Sequence, residues 1–459
     1  MLLPKRPAPS PPAPVSLPRR RFLGRVAALA SFVALARNRI PRSLAADSPS
    51  IRLARRILED EELDTFLERA RALLRTGLNA GDGYGEVWIR DLNTFIELAL
   101  QVNPAPPLRE ALITFFKFQG DDGNIVDGFI PEAKAGVGYR YRRSPLAPGL
   151  LAHKNTVETD QESSLVQAVA RYVRITGDTE LLRLPVDGVP ILDRLEHALD
   201  YLMKDRWSPD HDLLWGATTV DWGDVQPEHP WGVELDEHSH RAIDIYDNAL
   251  FLVALREFLS LPPARPHAAA RWTAVGDRVR AGIRRHLWDA PRGKFKPHVY
   301  LAGSPFPPDF DEDAIWYHGG TAVAMEADLL SREEIVRSLA AMRDNVRRAG
   351  AASLGLTVYP PYPDGFFKNP GMGAWSYQNG GDWCWFGGRL IRQLLRAGLV
   401  EDAYLDLKPM VTRVLRHNGF FEWWTRDNQP RGSGRFRGSA GVLGIVIQEL
   451  RAWASSHTA

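Results

Sequence analysis

The 459-residue chain has a single cysteine, Cys384, so no disulfide can close within it and no cysteine cluster can hold a metal. Charge of one sign is also lacking: 57 Lys and Arg against 56 Asp and Glu leave a formal net charge of +1, which gives no electrostatic pull toward nucleic acid or an acidic partner. The apolar run over 26–36 is too short to cross a bilayer and is followed by Arg37, Arg39 and Arg42, so no stable membrane anchor is expected. Sustained strand alternation is missing outside short hairpin-like pieces such as FKPHVYLAG, no Ser/Gly-rich linker divides the body, and no fixed-length repeat recurs. What is present is an ordinary globular composition, 44% hydrophobic and 25% charged, with room for a large core and the unusual number of 14 tryptophans.

Arg19 and Arg20 stand just ahead of Phe22, Leu23 and the apolar run, the outline of a twin-arginine export signal. Cleavage would follow Ala34-Leu35-Ala36 or Ser43-Leu44-Ala45; the bland alternative is a disordered Pro/Arg-rich tail. Residues 1–46 are therefore expected to be signal and disordered terminus, residues 47–459 one folded body, and the destination the periplasm or the medium. Export of an already folded protein suits a chain without disulfides.

From there the apolar spacing is helical in segment after segment. Helices are predicted over 61–76, 91–102, 108–118, 159–175, 191–203, 242–259, 268–287, 321–330, 333–346, 381–397, 401–417 and 439–454. Twelve helices in one undivided body predict an all-α fold of six hairpins closed into a ring with an inner and an outer layer. Six unusual segments then fall into place: VWIRD, NTVETDQESS, DWGDVQPEHPW, WYHGG, YQNGGDWCWF and FFEWW each precede an even-numbered helix, so all are expected at one rim of the ring. Most of the tryptophans lie in or beside them, Trp231 included.

The stretch FFEWW sets Glu422 between Phe420, Phe421, Trp423 and Trp424. Aromatic faces stack on sugar rings, and a carboxylate in partly dry surroundings can be tuned for acid or base work. The alternative is a rim residue over an aromatic core.

The order of these motifs, from VWIRDLNTFI through NTVETDQESSLVQAVARYVRITGD, DWGD, AIDIYDNALFLVAL and YQNGGDWCWF to FFEWW, resembles the six-hairpin glycosidases over most of residues 55–455. The similarity is to the amylo-1,6-glucosidase domain of glycogen debranching enzymes, the neutral invertases, and the processing α-glucosidase and mannosylglycerate hydrolase group. It implies an (α/α)6 toroid that hydrolyses glycosidic bonds with inversion. By that resemblance Asp224 of DWGD is the general acid, with Asp221 its close rival, and Glu422 is the general base. Arg90 and Asp91 of WIRD would hold hydroxyls of the terminal sugar, and Trp88, Trp222, Tyr377, Gln378, Asn379, Asp382, Trp383, Trp385 and Trp423 would line the substrate site. Gln378 and Cys384 stand where the debranching pattern has His and Pro, which leaves the sugar undetermined.

Acetal chemistry asks for the same division of labour. The leaving oxygen needs a proton from a carboxylic acid kept neutral, while a second carboxylate must stay ionised to take a proton from water. Inversion calls for carboxyl groups roughly 6.5–9.5 Å apart, retention for roughly 5–5.5 Å. The residues also have bland readings: Asp91 suits a helix cap with Arg90 beside it, and Asp221 and Asp224 suit a turn around Gly223. His211, His229, His238 and His240 match no standard zinc set, PDFDED is an incomplete calcium loop, and GSGRFRG, with no strand before it, reads as a lid or turn rather than a phosphate loop. A small carbohydrate is thus the expected partner, with no metal or nucleotide cofactor. About 410 mature residues favour a short substrate. Two other classes stay open: a sugar epimerase or isomerase using histidines such as His318, and a binding protein without catalysis.

Overall fold

Residue chemistry sorts the helices into two kinds. IYDNALFLVALREFL is largely apolar, and nearly every residue of the helix it forms is buried; REEIVRSLAAMRDNVRRA buries only Ile335, Ser338, Leu339, Met342 and Ala349, one stripe at helical spacing. The computed structural model describes residues 48–136 and 138–458, and residues from Ser48 onward form one compact unit. The export motif and both cleavage sites fall on residues 1–47, outside the described residues.

Fourteen helices occur among the described residues: α1 Pro49–Leu58, α2 Glu61–Leu74, α3 Ile89–Val102, α4 Ala105–Lys117, α5 Gln161–Thr176, α6 Glu180–Arg183, α7 Ile191–Asp205, α8 Ile245–Leu259, α9 Pro266–Gly282, α10 His318–Glu326, α11 Arg332–Ala349, α12 Cys384–Arg396, α13 Val400–Arg416 and α14 Arg437–Thr458. All twelve predicted segments contain a helix. The fold is all-α apart from strands of two to four residues, and no helix among the described residues is long and apolar enough to cross a membrane.

The buried helices pack in succession: α3 on α5, α5 on α8, α8 on α10, α10 on α12, α12 on α14, and α14 on α3. Their amphipathic partners lie against them, α4 and α7 on α5, α9 on α8, α11 on α10, α13 on α12, and α2 on α14 and α3. Glycines let some of these backbones come close; a side chain at Gly441 of α14 would run into Phe95 of α3.

Several expected boundaries differ, each for a physical reason. Residues 241–243 are a strand between 216–217 and 299–300, and α8 begins only after Asp244, whose carboxylate caps it by accepting from the Asp247 N–H at 2.8 Å. α10 starts three residues early, at His318, because its first N–H groups are capped by Asp221, about a hundred residues away in sequence. FKPHVYLAG is no hairpin: Lys294–Phe295 pairs with Trp288–Asp289, whereas Val299–Tyr300 joins Arg241–Ile243. Helices α1, capped by Ser48, and the single-turn α6 were not expected.

Candidate active site

A cavity of about 250 Å³ opens where the loops ahead of the buried helices meet. VWIRD supplies Trp88, Arg90 and Asp91; the segment before α5 supplies Asn155 and Glu158. The DWGD loop supplies Trp222, Asp224, Val225, Trp231 and Val233, the loop before α12 and its first turn Tyr377, Trp383 and Trp385, and FFEWW Glu422. Five of the six singled-out segments therefore converge. WYHGG does not: His318 is buried against Asn345, its Nε2 3.1 Å from the amide nitrogen, and burial alone drives its pKa down to about 3.

Glu422 is 4% exposed, and its carboxylate is held from three sides. Tyr84 Oη donates to Oε1 at 2.8 Å, Tyr377 Oη approaches it at 3.5 Å, and the Ser433 N–H donates to Oε2 at 3.0 Å. Ser433 belongs to GSGRFRG, which forms a turn whose backbone cradles this carboxylate. Gly432 sits at φ +67° with its α-carbon against Glu422, where any side chain would collide with the carboxylate. Burial pushes the Glu422 carboxyl above its ordinary value, against the Ser433 and Tyr84 hydrogen bonds and with help from the Asp224 charge.

Asp224 faces the same cavity with its side chain 31% exposed. Arg90 reaches it at 2.7 Å and also contacts Asp160 at 2.6 Å and Glu158 at 2.6 Å, so one guanidinium serves three carboxylates. Burial raises the Asp224 carboxyl, but Arg90 and hydrogen bonds from Glu158, Arg90 and Gln378 outweigh it and hold it below its usual range. Its backbone is fixed on both sides: its N–H donates to Gln378 Oε1 at 3.2 Å and its carbonyl accepts from Asn155 Nδ2 at 2.9 Å.

Asp221 does not line this cavity. Its carboxylate accepts from the N–H groups of Gly319 at 2.7 Å and Gly320 at 2.8 Å and is 1% exposed, so the rival acid is the cap of α10. Four of the expected substrate contacts also do not line the cavity: three are buried and Trp423 is half-buried. Gln378 positions Asp224; Asn379 bonds the backbone of Tyr362 and Met372; Asp382 pairs with Arg413 at 2.7 Å, both fully buried; and Trp423 packs edge-on against Tyr377. Asp382 ties two site loops together, since its backbone exchanges hydrogen bonds with Trp424. Trp88, Arg90, Asp91, Trp222, Tyr377, Trp383 and Trp385 do line the cavity, and Asp91 keeps a buried Oδ1 with no hydrogen-bond partner in the protein.

Sequence reading missed Tyr84, Asp127, Tyr139, His153, Asn155, Glu158, Asn369 and Phe436. Glu158 lay inside NTVETDQESS, a segment already singled out; Tyr84, Tyr139 and Asn369 stand on plain Gly- and Pro-rich loops that carried no signal. His153 is neutral, its pKa lowered to about 4 by burial and by Arg142 and Lys154.

No family model matches the chain, and no curated protein matches it in sequence. Solved structures do. A GH63 mannosylglycerate hydrolase from Thermus thermophilus in complex with glucose superimposes with a TM-score of 0.59 at 17% identity, over 87% of this chain and 100% of that one. The chain shares a glycoside hydrolase fold. A rhamnosidase from Klebsiella oxytoca with rhamnose bound gives a TM-score of 0.54 at 14% identity over 85% of this chain, which spans 64% of that protein's length. A GH78 rhamnosidase from a Bacillus species gives 0.54 at 15% identity, with 84% of this chain and 35% of that one aligned. These neighbours are of the six-hairpin glycosidase type.

Proposed function

We propose that this chain is an exported glycoside hydrolase, its catalytic body a closed (α/α)6 toroid over residues 47–459, that cleaves a small saccharide or chain end with inversion. The observation carrying this reading is that Asp224 and Glu422, roughly two hundred residues apart in sequence, face one tryptophan-lined cavity. The packing of α14 on α3 favours ring closure. The volume of about 250 Å³ suits a small ligand.

In the proposed reaction Glu422 takes a proton from water as its oxygen attacks the anomeric carbon. The bond to the leaving oxygen breaks, the electron pair goes to that oxygen, and Asp224 protonates it. Asp91, with its free buried oxygen, and Arg90 are placed to hold sugar hydroxyls. The partly exposed Asp224 stands nearer solvent than Glu422, the side from which a leaving group departs.

One observation favours exchanged roles. Arg90 holds Asp224 low while burial pushes Glu422 up, the reverse of the order an acid at 224 and a base at 422 require. Under the second reading Glu422 protonates the leaving group and Asp224 activates water.

A screen of α- and β-linked disaccharides and sugar-acid glycosides, with the released sugar and its first-formed anomer identified by NMR, tests the activity; retained configuration would rule out inversion. Glu422→Gln and Asp224→Asn should each cost about 10²- to 10⁴-fold in turnover. Glycosyl fluorides, whose leaving group needs no proton, assign the roles: the acid's variant still cleaves them and the base's does not. Export is tested by Arg19→Lys with Arg20→Lys, which should keep the protein in the cytoplasm.

A further inference from the structure

Seven large hydrophobic side chains are exposed among the described residues, and Trp231, at 54%, is the most exposed of them. Of the seven, Trp231 alone lines the central cavity. An indole exposed at the lip of a cavity offers a broad flat apolar face to whatever enters.

Its loop is tied down rather than loose. The Gln226 N–H donates to the Gly232 carbonyl at 3.0 Å, the Thr156 N–H to the Val233 carbonyl at 3.1 Å, and the Leu235 N–H to Thr156 Oγ1 at 2.7 Å. On its inner side Trp231 meets Tyr139 at 5.8 Å and 47°, and Tyr139 in turn stacks on His153 at 4.0 Å and 28°. Three rings thus form a fixed bank running from the lip inward, with Val225 and Val233 beside them.

The opposite depth is different. Trp222, Trp383 and Trp385 are each 2% exposed and packed on one another, Trp222 lying 4.8 Å and 5.0 Å from the other two rings. A pocket closed at that end and open at Trp231 admits a terminal sugar first, so the leaving group must lie toward the mouth.

We propose that Trp231, backed by Tyr139, is the stacking platform of a leaving-group subsite that takes a second sugar ring by its apolar face, making Trp231 a specificity determinant. The inference rests on the glycosidase reading and adds which part of the substrate is recognised where. Fluoride has no ring to stack, so the platform acts on a disaccharide and not on the matching glycosyl fluoride.

The test compares kcat/KM for the disaccharide cleaved fastest in the screen with kcat/KM for the fluoride of its non-reducing sugar. Trp231→Ala should lower the disaccharide-to-fluoride ratio about tenfold, and Trp231→Phe should restore most of it. Because the readout is a ratio, a variant that folds poorly loses on both substrates and leaves it unmoved. An unchanged ratio in Trp231→Ala overturns the subsite while the glycosidase reading stands. A wild type that cleaves neither substrate overturns both.

Discussion

Helix α3 carries two largely buried carboxylates, fewer than two turns apart, whose surroundings act in opposite directions. Asp91, at the cavity, has its carboxyl pushed to about 7 by burial, which the Arg90 charge opposes and the Glu422 and Asp224 charges reinforce. Glu97 also suffers burial, yet Arg392 and Arg171 outweigh it and hold its carboxyl at about 2. Arg392 grips Glu97 with two contacts at 3.1 and 3.0 Å, and a neighbouring buried pair, Arg389 with Glu326 at 2.8 Å, has Arg171 as a second cation. Burial is common to both regions; what differs is the ratio of cations to acids. The Glu97–Glu326 network matches its charges, whereas in the cavity Arg90 is the one Lys or Arg among lining residues that include Asp91, Asp127, Glu158, Asp224 and Glu422. Burial likewise lifts Asp127 and Glu158 well above the carboxylate range. A matched network stabilises the fold, and an under-neutralised one stores protons for chemistry.

The sharpest way to break this contrast is Glu326→Gln, which strands Arg389 as a buried charge, leaves Arg171 with Glu97 alone, and should destabilise the protein by about 3–5 kcal/mol in denaturant titrations at pH 7. If the loss is under about 1 kcal/mol, the network is not what holds these helices.

A pH series comes next, because the two regions have opposite signs. Glu97 and Glu326, at about 2 in the folded chain, contribute stability that is complete above the ordinary carboxylate pKa and is lost as pH falls toward 2. Asp91, at about 7, binds its proton more tightly when folded, so its contribution is present in acid and is lost as pH rises from the ordinary value to about 7. Thermal unfolding from pH 3 to 8 should show the neutral-side decline shrink in Asp91→Asn, the rest belonging to Asp127, Glu158 and the other raised carboxyls, and the acid-side decline shrink in Glu326→Gln.

The smallest effect expected is on stability in Asp91→Asn at pH 8. Removing a charge that nothing fully compensates should change the unfolding free energy by less than about 1 kcal/mol or raise it. Its turnover should nonetheless fall, since the sugar loses a hydroxyl partner. A large destabilisation would make Asp91 a structural cap and end its place in the site.

Much of the helical scaffold was legible because apolar spacing is local: α11 announces itself through Ser331, Glu334 and the stripe after them, and each of the twelve periodic segments holds a helix. Motif order placed Asp224 and Glu422 in distant loops that prove to share one cavity. What remained hidden was long-range polar pairing. Asp221 and Asp224 flank the same Trp222 and look alike in sequence, yet one caps α10 and the other faces the cavity. Gln378, Asn379 and Asp382 share a motif with cavity residues but spend their hydrogen bonds holding loops.

The sequence by itself determined where helices form and which loops carry acids and aromatic rings, because backbone propensity and amphipathic period depend on near neighbours. Only the tertiary structure decided which of those acids meet the cavity, which are neutralised, and that Gly432 and Ser433 would cradle Glu422. A carboxylate's role depends on the charges and N–H groups brought to it across the fold, and those come from residues tens to hundreds of positions away.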